Sequence, residues 1–583
     1  MIHNFRVWAP FPKRLEVQVG QRRFPMAVTG NGWWNAEITG SNPDDDYGFV
    51  LDGEGPFPDP RSAWQPNGVH QLSRRLDHAA FQWTDADWQA PPLSSAIIYE
   101  LHIGTFTPSG TFESAIEKLD HLKDLGVTHV ELMPVCEFAG DRGWGYDGVD
   151  LFAPHHAYGG PEGLKRLVDN CHARHLSVLL DVVYNHVGPS GNYLGKFGPY
   201  FTTQHTGPWG TAINFDGPDS GEVRRFFCDN ALMWLRDYHV DGLRLDAVHA
   251  IFDGSAFQFL EQLGMEVKQL EARLGRHLVL IPESDLNDPR LLWPRERGGF
   301  GLDAQWSDDF HHALHAVLTG ERNGYYSDFG TLDDLCRALR EGYVFSGQYS
   351  AHRHRRHGRK PDGLSGHHFL AYMQNHDQIG NRAKGERSSG LMSGGRLKIA
   401  AALVLASPFV PMLFQGEEWG AATPFLYFTD YPEPELAKGV REGRCREFAA
   451  FGWKPEETFD PQDRNTLEHS KLDWSELLRS PHQEMFEWHR RLIQLRRSEP
   501  ALTDGELESV RTHHDEKASW LVVERGPLSV VSNLGGCTRS IPLRAGRHQV
   551  LLSSVTLEES VCDEANLPPE SVAILKLAEE SAL

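Results

Sequence analysis

The chain has 583 residues, 40% of them hydrophobic and 23% charged, an ordinary globular composition that excludes both a single small module and a disordered polymer. Lysine and arginine number 57 against 80 aspartate and glutamate, a formal charge of −23, so no general basic footprint for nucleic acid exists and neutral ligands fit better. Seven cysteines, an odd number without CxxC spacing, argue against a disulfide framework or zinc site and for reduced thiols in the cytoplasm.

From the start, residues 1–14 carry charges and prolines where a signal peptide needs an apolar core. Residues 1–90 alternate in short runs such as Leu15, Val17 and Val19, broken by Gly and Pro clusters, the pattern of a small β-sandwich. From Ser95 the texture changes. Apolar strand-like runs at 96–103, 127–133, 176–182, 241–246, 277–282, 301–306, 368–374 and 409–414 alternate with helical patterns, for example Val223, Phe227, Ala231 and Leu235. Eight such units across residues 91–500 predict a (β/α)8 TIM barrel with enlarged loops, since the minimal barrel needs only about 250 residues. The apolar stretch Ile399–Phe414 is broken by Pro408 and Pro411, is too short for a membrane span of about 20 residues, and reads as a barrel helix and strand. A helix with Met485, Phe486, His489, Leu492 and Ile493 on one face closes the unit. Residues 501–583, with runs such as Trp520–Val523 and Leu528–Val531, predict a C-terminal all-β sandwich.

A barrel of this kind keeps its catalysts at the carboxyl ends of its strands. Four predicted strands end in acids: Asp181-Val-Val-Tyr-Asn185-His186, Asp241-Gly-Leu-Arg244-Leu-Asp246, Ile281-Pro-Glu283 and Asn375-His376-Asp377. Arg244 and Asp246 are two apart, so strand alternation sends both side chains to one side, where the guanidinium keeps the carboxylate ionised. One such acid alone is explained by a helix cap or a loop ion pair; the ordered set of four is not.

The set resembles the four signature regions of the α-amylase superfamily, glycoside hydrolase family 13. The resemblance implies that Asp246 is the nucleophile, Glu283 the general acid then base, and Asp377 the carboxylate that grips sugar hydroxyls. Arg244, His186 and His376 then line the reacting sugar, with Trp144, Tyr146 and Asp147 of Trp144-Gly-Tyr-Asp147-Gly beside it and Tyr146 as its aromatic platform. Glycosidic cleavage independently requires one ionised and one protonated carboxyl, and a retaining course sets them about 5 to 5.5 Å apart. Neighbouring strands about 4.8 Å apart make that separation reachable, and Glu283 is expected to hold its proton near neutral pH.

The opening Phe5-Arg6-Val7-Trp8-Ala9-Pro10, with Trp306-Ser-Asp-Asp-Phe-His-His312, Asn375-His-Asp-Gln-Ile-Gly-Asn-Arg382 and Leu413-Phe-Gln-Gly-Glu-Glu-Trp419, is similar to the maltooligosyl trehalose trehalohydrolases within that superfamily. This likeness implies release of trehalose from maltooligosyl trehalose or related α-glucans; the alternative is a branching or debranching enzyme. Selectivity requires a pocket that accepts a folded-over α,α-1,1 disaccharide and rejects an extended chain. Trp209, Asp308, Asp309, Phe310 and His311 are candidates for its wall, against the alternative that Phe310 is core and His311 caps a helix. Pro424, Phe425 and Phe428 could shape the rim or simply pack. The basic stretch His352–Lys360 is expected to be a solvated loop. Asn185 stands where many amylases bind calcium, but six or more oxygens cannot be assembled around it, so no metal or cofactor is expected.

Overall fold

The computed structural model describes residues 2–40, 42, 44–450 and 458–578. Each of the eight apolar runs becomes a barrel strand: β1 Ile98–Leu101, β2 His129–Leu132, β3 Ser177–Val182, β4 Gly242–Leu245, β5 Val279–Pro282, β6 Gln305–Trp306, β7 Phe369–Ala371 and β8 Val410–Phe414. They pair in the parallel order β5-β4-β3-β2-β1-β8-β7-β6. The seam between β5 and β6 is closed by the Asp303 amide donating to the Leu280 carbonyl (3.0 Å) and the Gln305 amide to the Ser284 carbonyl (2.8 Å). Ile98, Leu179, Ile281, Ala304, Leu370 and Met412 fill the barrel axis, because alternate residues of every strand point inward.

Amphipathic helices cover the outside. Ser220–Asp237 buries Val223, Phe227, Ala231 and Leu235, and His482–Ser498 buries Met485, Trp488, His489, Leu492 and Ile493. After β1, Thr111 caps the helix Phe112–Ile116 through a reciprocal hydrogen-bond pair with Ser114. Among the described residues no helix is long and apolar enough to cross a membrane, and all seven cysteines are unpaired.

The N-terminal strands form two antiparallel sheets, one from Ile2–Trp8, Trp33–Thr39 and Ala27–Gly30, the other around Leu15–Val19 and Asp46–Leu51. They dock on the loop after β3: Trp8 meets Tyr200 edge-on at 5.2 Å and the Phe11 amide donates to the Phe197 carbonyl. The C-terminal strands differ from a simple sandwich. Six strands form one hydrogen-bonded path, and the 15-residue strand Arg539–Ser553 shifts register as it pairs with both Ser560–Leu567 and Ser571–Leu577. Alternation explains why one sheet suffices. Leu521, Val523 and Ile574 join the main core, while Val522, Val531 and Leu575 pack with Ile541, Ala565 and Leu567.

Candidate active site

The acids gather at the carboxyl ends of the barrel strands around one cation. Arg244, wholly buried on β4, donates through Nη1 to Asp181 Oδ2 (2.8 Å) and Asp246 Oδ1 (2.7 Å), while Nη2 lies 3.6 Å from Glu283 Oε2. Its guanidinium stacks 4.3 Å over the Trp306 ring, which fixes the plane of the fork. Asp246 also accepts the Asn185 amide at 2.8 Å. Burial pushes the Asp246 carboxyl up, but Arg244, His186 and the Asn185 amide outweigh burial and hold it below the ordinary carboxylate range. Glu283 is driven the other way: burial and the charge of Asp246 raise it against the pull of Arg244. One site thus drives the proton affinities of two neighbouring carboxyls apart.

The backbone fixes the second acid. Directly after Asp246, Ala247 adopts φ +38° in the left-handed region, which a side chain disfavours. Its N–H donates to Glu283 Oε2 at 2.6 Å.

A hydrogen-bonded relay runs through the aromatic wall. The Tyr146 hydroxyl donates to Asp181 Oδ2 (2.6 Å); its single hydrogen so spent, it accepts from His376 Nε2 at 2.8 Å. Nδ1 of His376 faces the Glu100 carboxylate. Both ring nitrogens therefore donate, and although burial opposes the charge, Asp377 and Glu100 raise the His376 pKa to about 9. Burial lifts Asp181 to about 7. Tyr146 stacks on His376 (centroids 5.2 Å) and Trp144 meets it edge-on. Gly145 between them sits at φ +100°, where a Cβ would stand 2.1 Å from the Pro134 carbonyl oxygen, so only glycine permits this close turn. His186 donates Nε2–H to the Tyr146 carbonyl (3.0 Å), and burial lowers its pKa. Asp377 is the most open of the acids, its side chain 45% exposed.

Residues 76–199 match the family described as alpha amylase, catalytic domain, and residues 505–574 match a domain of unknown function, DUF3459. The chain is 50% identical over 551 residues to the malto-oligosyltrehalose trehalohydrolase of Arthrobacter ramosus, covering 94% of this chain and 95% of that one. It is 48% identical over 582 residues, 99% of each chain, to that of Mycobacterium tuberculosis strain H37Rv. The crystal structure of a putative alpha amylase from Salmonella typhimurium superposes with a TM-score of 0.90 at 37% identity, covering 99% of this chain and 98% of that one. The chain belongs to the malto-oligosyltrehalose trehalohydrolase family.

Residues proposed from the sequence to give the trehalohydrolase its selectivity separate into two groups. Trp209, 53% exposed on the hairpin Phe201–Gly207/Gly210–Ile213, stacks over His186 with ring centroids 4.6 Å apart and stays open to a ligand. Asp308 lies near Glu283 and Asp377. It opens the helix Asp308–Thr319 and accepts the Tyr372 hydroxyl, and burial with the nearby charge of Glu283 raises it to about 8. Asp147 is partly buried, and desolvation raises its pKa.

The other group is consumed by the protein itself. Asp309 Oδ2 accepts the Asn287 amide and the Val344 and Phe345 N–H groups at 2.7–2.9 Å, so it clamps a loop. Phe310 is buried against Phe409, and His311 bonds the Met373 carbonyl and the Tyr326 hydroxyl; Ser307, not His311, caps the helix. A helix starting at Asp308 turns about 100° per residue, so only its first side chain keeps the direction of β6. Phe425 and Phe428 are core around Trp144 and Met133. The basic stretch is only half solvated: Arg355 and Arg356 are exposed, but Arg353 pairs with Asp285 at 3.0 Å and buried His357 bonds the Asp285 carbonyl.

Among the described residues, Glu137, His155 and His156 come within metal-ligand range of one another. The donor set does not fit a metal. His155 Nδ1 accepts the Ala157 N–H, which leaves the neutral ring's hydrogen on Nε2, and Glu137 is spent on the His156 ring and N–H. Two buried acids were not read as part of the site, Glu100 and Glu131. Their signal was a carboxylate at an inward position of an apolar strand, Ile98-Tyr-Glu-Leu101 and His129-Val-Glu-Leu132.

Proposed function

We propose that this chain hydrolyses the α-1,4 bond joining a malto-oligosaccharide to its terminal trehalose, with retention at the anomeric carbon. Asp246 attacks that carbon while Glu283 passes its proton to the departing glycosidic oxygen, so trehalose leaves first. Water, deprotonated by the Glu283 carboxylate, then opens the glycosyl–Asp246 ester. Asp377 grips hydroxyls of the reacting sugar, Tyr146 lies beneath its ring, and Arg244, His186 and His376 surround it. Trp209 and Asp308 stand on the side available to the trehalose unit.

The observation that carries this reading is the pair Asp246 and Glu283 around Arg244, with Asp246 bonded to the guanidinium at 2.7 Å and Glu283 3.6 Å from it, so that the ion pair holds Asp246 low while burial and the Asp246 charge raise Glu283. The substrate follows from the name shared by relatives of nearly full length. Seven unpaired thiols support a reducing, cytoplasmic setting, and we place the domain divisions near residues 90 and 500. The test is proton NMR of freshly cleaved malto-oligosyltrehalose: free trehalose and an α-anomeric new reducing end are expected, whereas a β-anomer, or no trehalose, would sink the reading.

A further inference from the structure

Glu131 is the third residue of β2. It is 1% exposed, and both of its carboxyl oxygens are buried without a hydrogen-bond partner. In the parallel register it stands between Glu100 on β1 and Leu179 on β3. Leu179 is a barrel-axis residue, and in-register neighbours of a parallel sheet face the same way, so the Glu131 carboxyl points into the barrel. The groups facing it there are Glu100 from β1, Asp181 from β3, Arg244 from β4 and His376 from the loop after β7. The same layer holds further unsatisfied atoms: Arg244 Nε and Nη2, Asp181 Oδ1 and Trp306 Nε1.

Two cations, Arg244 and His376, already serve Glu100, Asp181 and Asp246 by direct hydrogen bonds or ion pairs. A fourth anion would compete for them, and an ionised carboxylate with no donor is costly to bury. Burial accordingly holds the Glu131 carboxyl well above the usual range, with the charges of Glu100 and Asp181 acting in the same direction. A leucine or glutamine would occupy the position without that penalty, so the acid does not serve stability.

Resting on the hydrolytic reading above, we propose that Glu131 is a positioning residue of the reaction: an uncharged acid beneath Arg244 that leaves the guanidinium committed to Asp181 and Asp246. When Glu131 loses its proton at alkaline pH, Arg244 is shared with a further carboxylate, Asp246 loses its ion-pair partner, and turnover falls. The alkaline arm of the activity profile therefore contains a loss that belongs to β2 as well as to Glu283.

The experiment compares the full chain with Glu131→Gln, which copies the protonated acid in shape. Glu131→Leu repeats the comparison if the amide fails to pack. The expected result is an alkaline arm of kcat displaced to higher pH than in the parent. Superimposable alkaline arms would overturn the proposal. Two readouts do not depend on turnover. A protonated-carboxyl infrared band present in the parent at neutral pH should vanish in the variant. The melting temperature of the variant should also rise relative to the parent as pH climbs above 4.5, the ordinary value for glutamate, because an acid whose folded pKa is raised loses its share of stability from there upward. A missing band or a pH-independent difference would refute an uncharged Glu131. Failure of the parent to release trehalose would instead sink the hydrolytic reading and leave these two measurements standing.

Discussion

The two ends of the barrel carry the same kinds of residue and use them oppositely. At the amino ends of the strands, His172 donates to Asp85 (2.8 Å) and Asp241 (3.0 Å), and Asp241 further accepts the Val178 N–H, the Trp88 indole and Arg276. Every oxygen there is spent. Burial pushes Asp85 and Asp241 up, but their partners prevail and hold both below the ordinary carboxylate value, while the two carboxylates raise His172 against its burial. At the carboxyl ends, Arg244 leaves two nitrogens unsatisfied, and Asp181, Glu283 and Asp308 all hold their protons more tightly than usual. A network whose acceptor oxygens are all engaged fixes charge and stabilises the fold; one whose carboxyls are incompletely paired lets a proton move, which acid catalysis needs.

This contrast breaks first at Asp246. Asp246→Asn should lower trehalose release by about 10⁴-fold or more with little change in melting temperature, and near-normal turnover would remove Asp246 from the chemistry. Asp241→Asn should do the reverse. It removes the carboxylate paired with buried His172 and partly buried Arg276, so denaturant unfolding should show a loss of about 3–5 kcal/mol while kcat per folded molecule stays unchanged.

Smaller effects sharpen the comparison. Tyr146→Ala removes both the ring proposed to lie beneath the sugar and the hydroxyl joining His376 to Asp181, and kcat/KM should fall about 10- to 100-fold. Unchanged kinetics would reduce Tyr146 to packing. The His172 clamp predicts a pH window for stability. The depressed pKa values of Asp85 and Asp241 contribute above 3.8 and are lost as pH falls through the folded values. The raised pKa of His172 contributes fully below 6.5 and fades as pH rises through its folded value. Thermal melts of the parent against Asp241→Asn should therefore differ most between those limits. Trp209→Ala should raise KM only a few-fold, measured against malto-oligosyltrehalose and an unmodified malto-oligosaccharide; equal losses on both would assign Trp209 to general sugar contact rather than selectivity.

The barrel was legible because all eight strands are short apolar runs bounded by turn residues, and the acids because they sit where those runs end. What escaped depended on direction rather than identity. Asp309, Phe310 and His311 follow the acid-bearing strand end as closely as Asp308 does, yet the chain enters a helix there and rotates them into the interior. Glu100 and Glu131 were hidden inside runs read for their hydrophobicity alone. The hairpin placing Trp209 over His186 folds back within the long connection after β3, and no local periodicity encodes such a contact.

The left-handed peptide at Ala247 has a practical side. Because the amide next to Asp246 also tethers Glu283, the gap between the proposed nucleophile and proton donor is machined into the main chain instead of being left to drifting surface loops. An engineer could rebuild the rim around Trp209 for another leaving group while the cutting pair keeps its gauge.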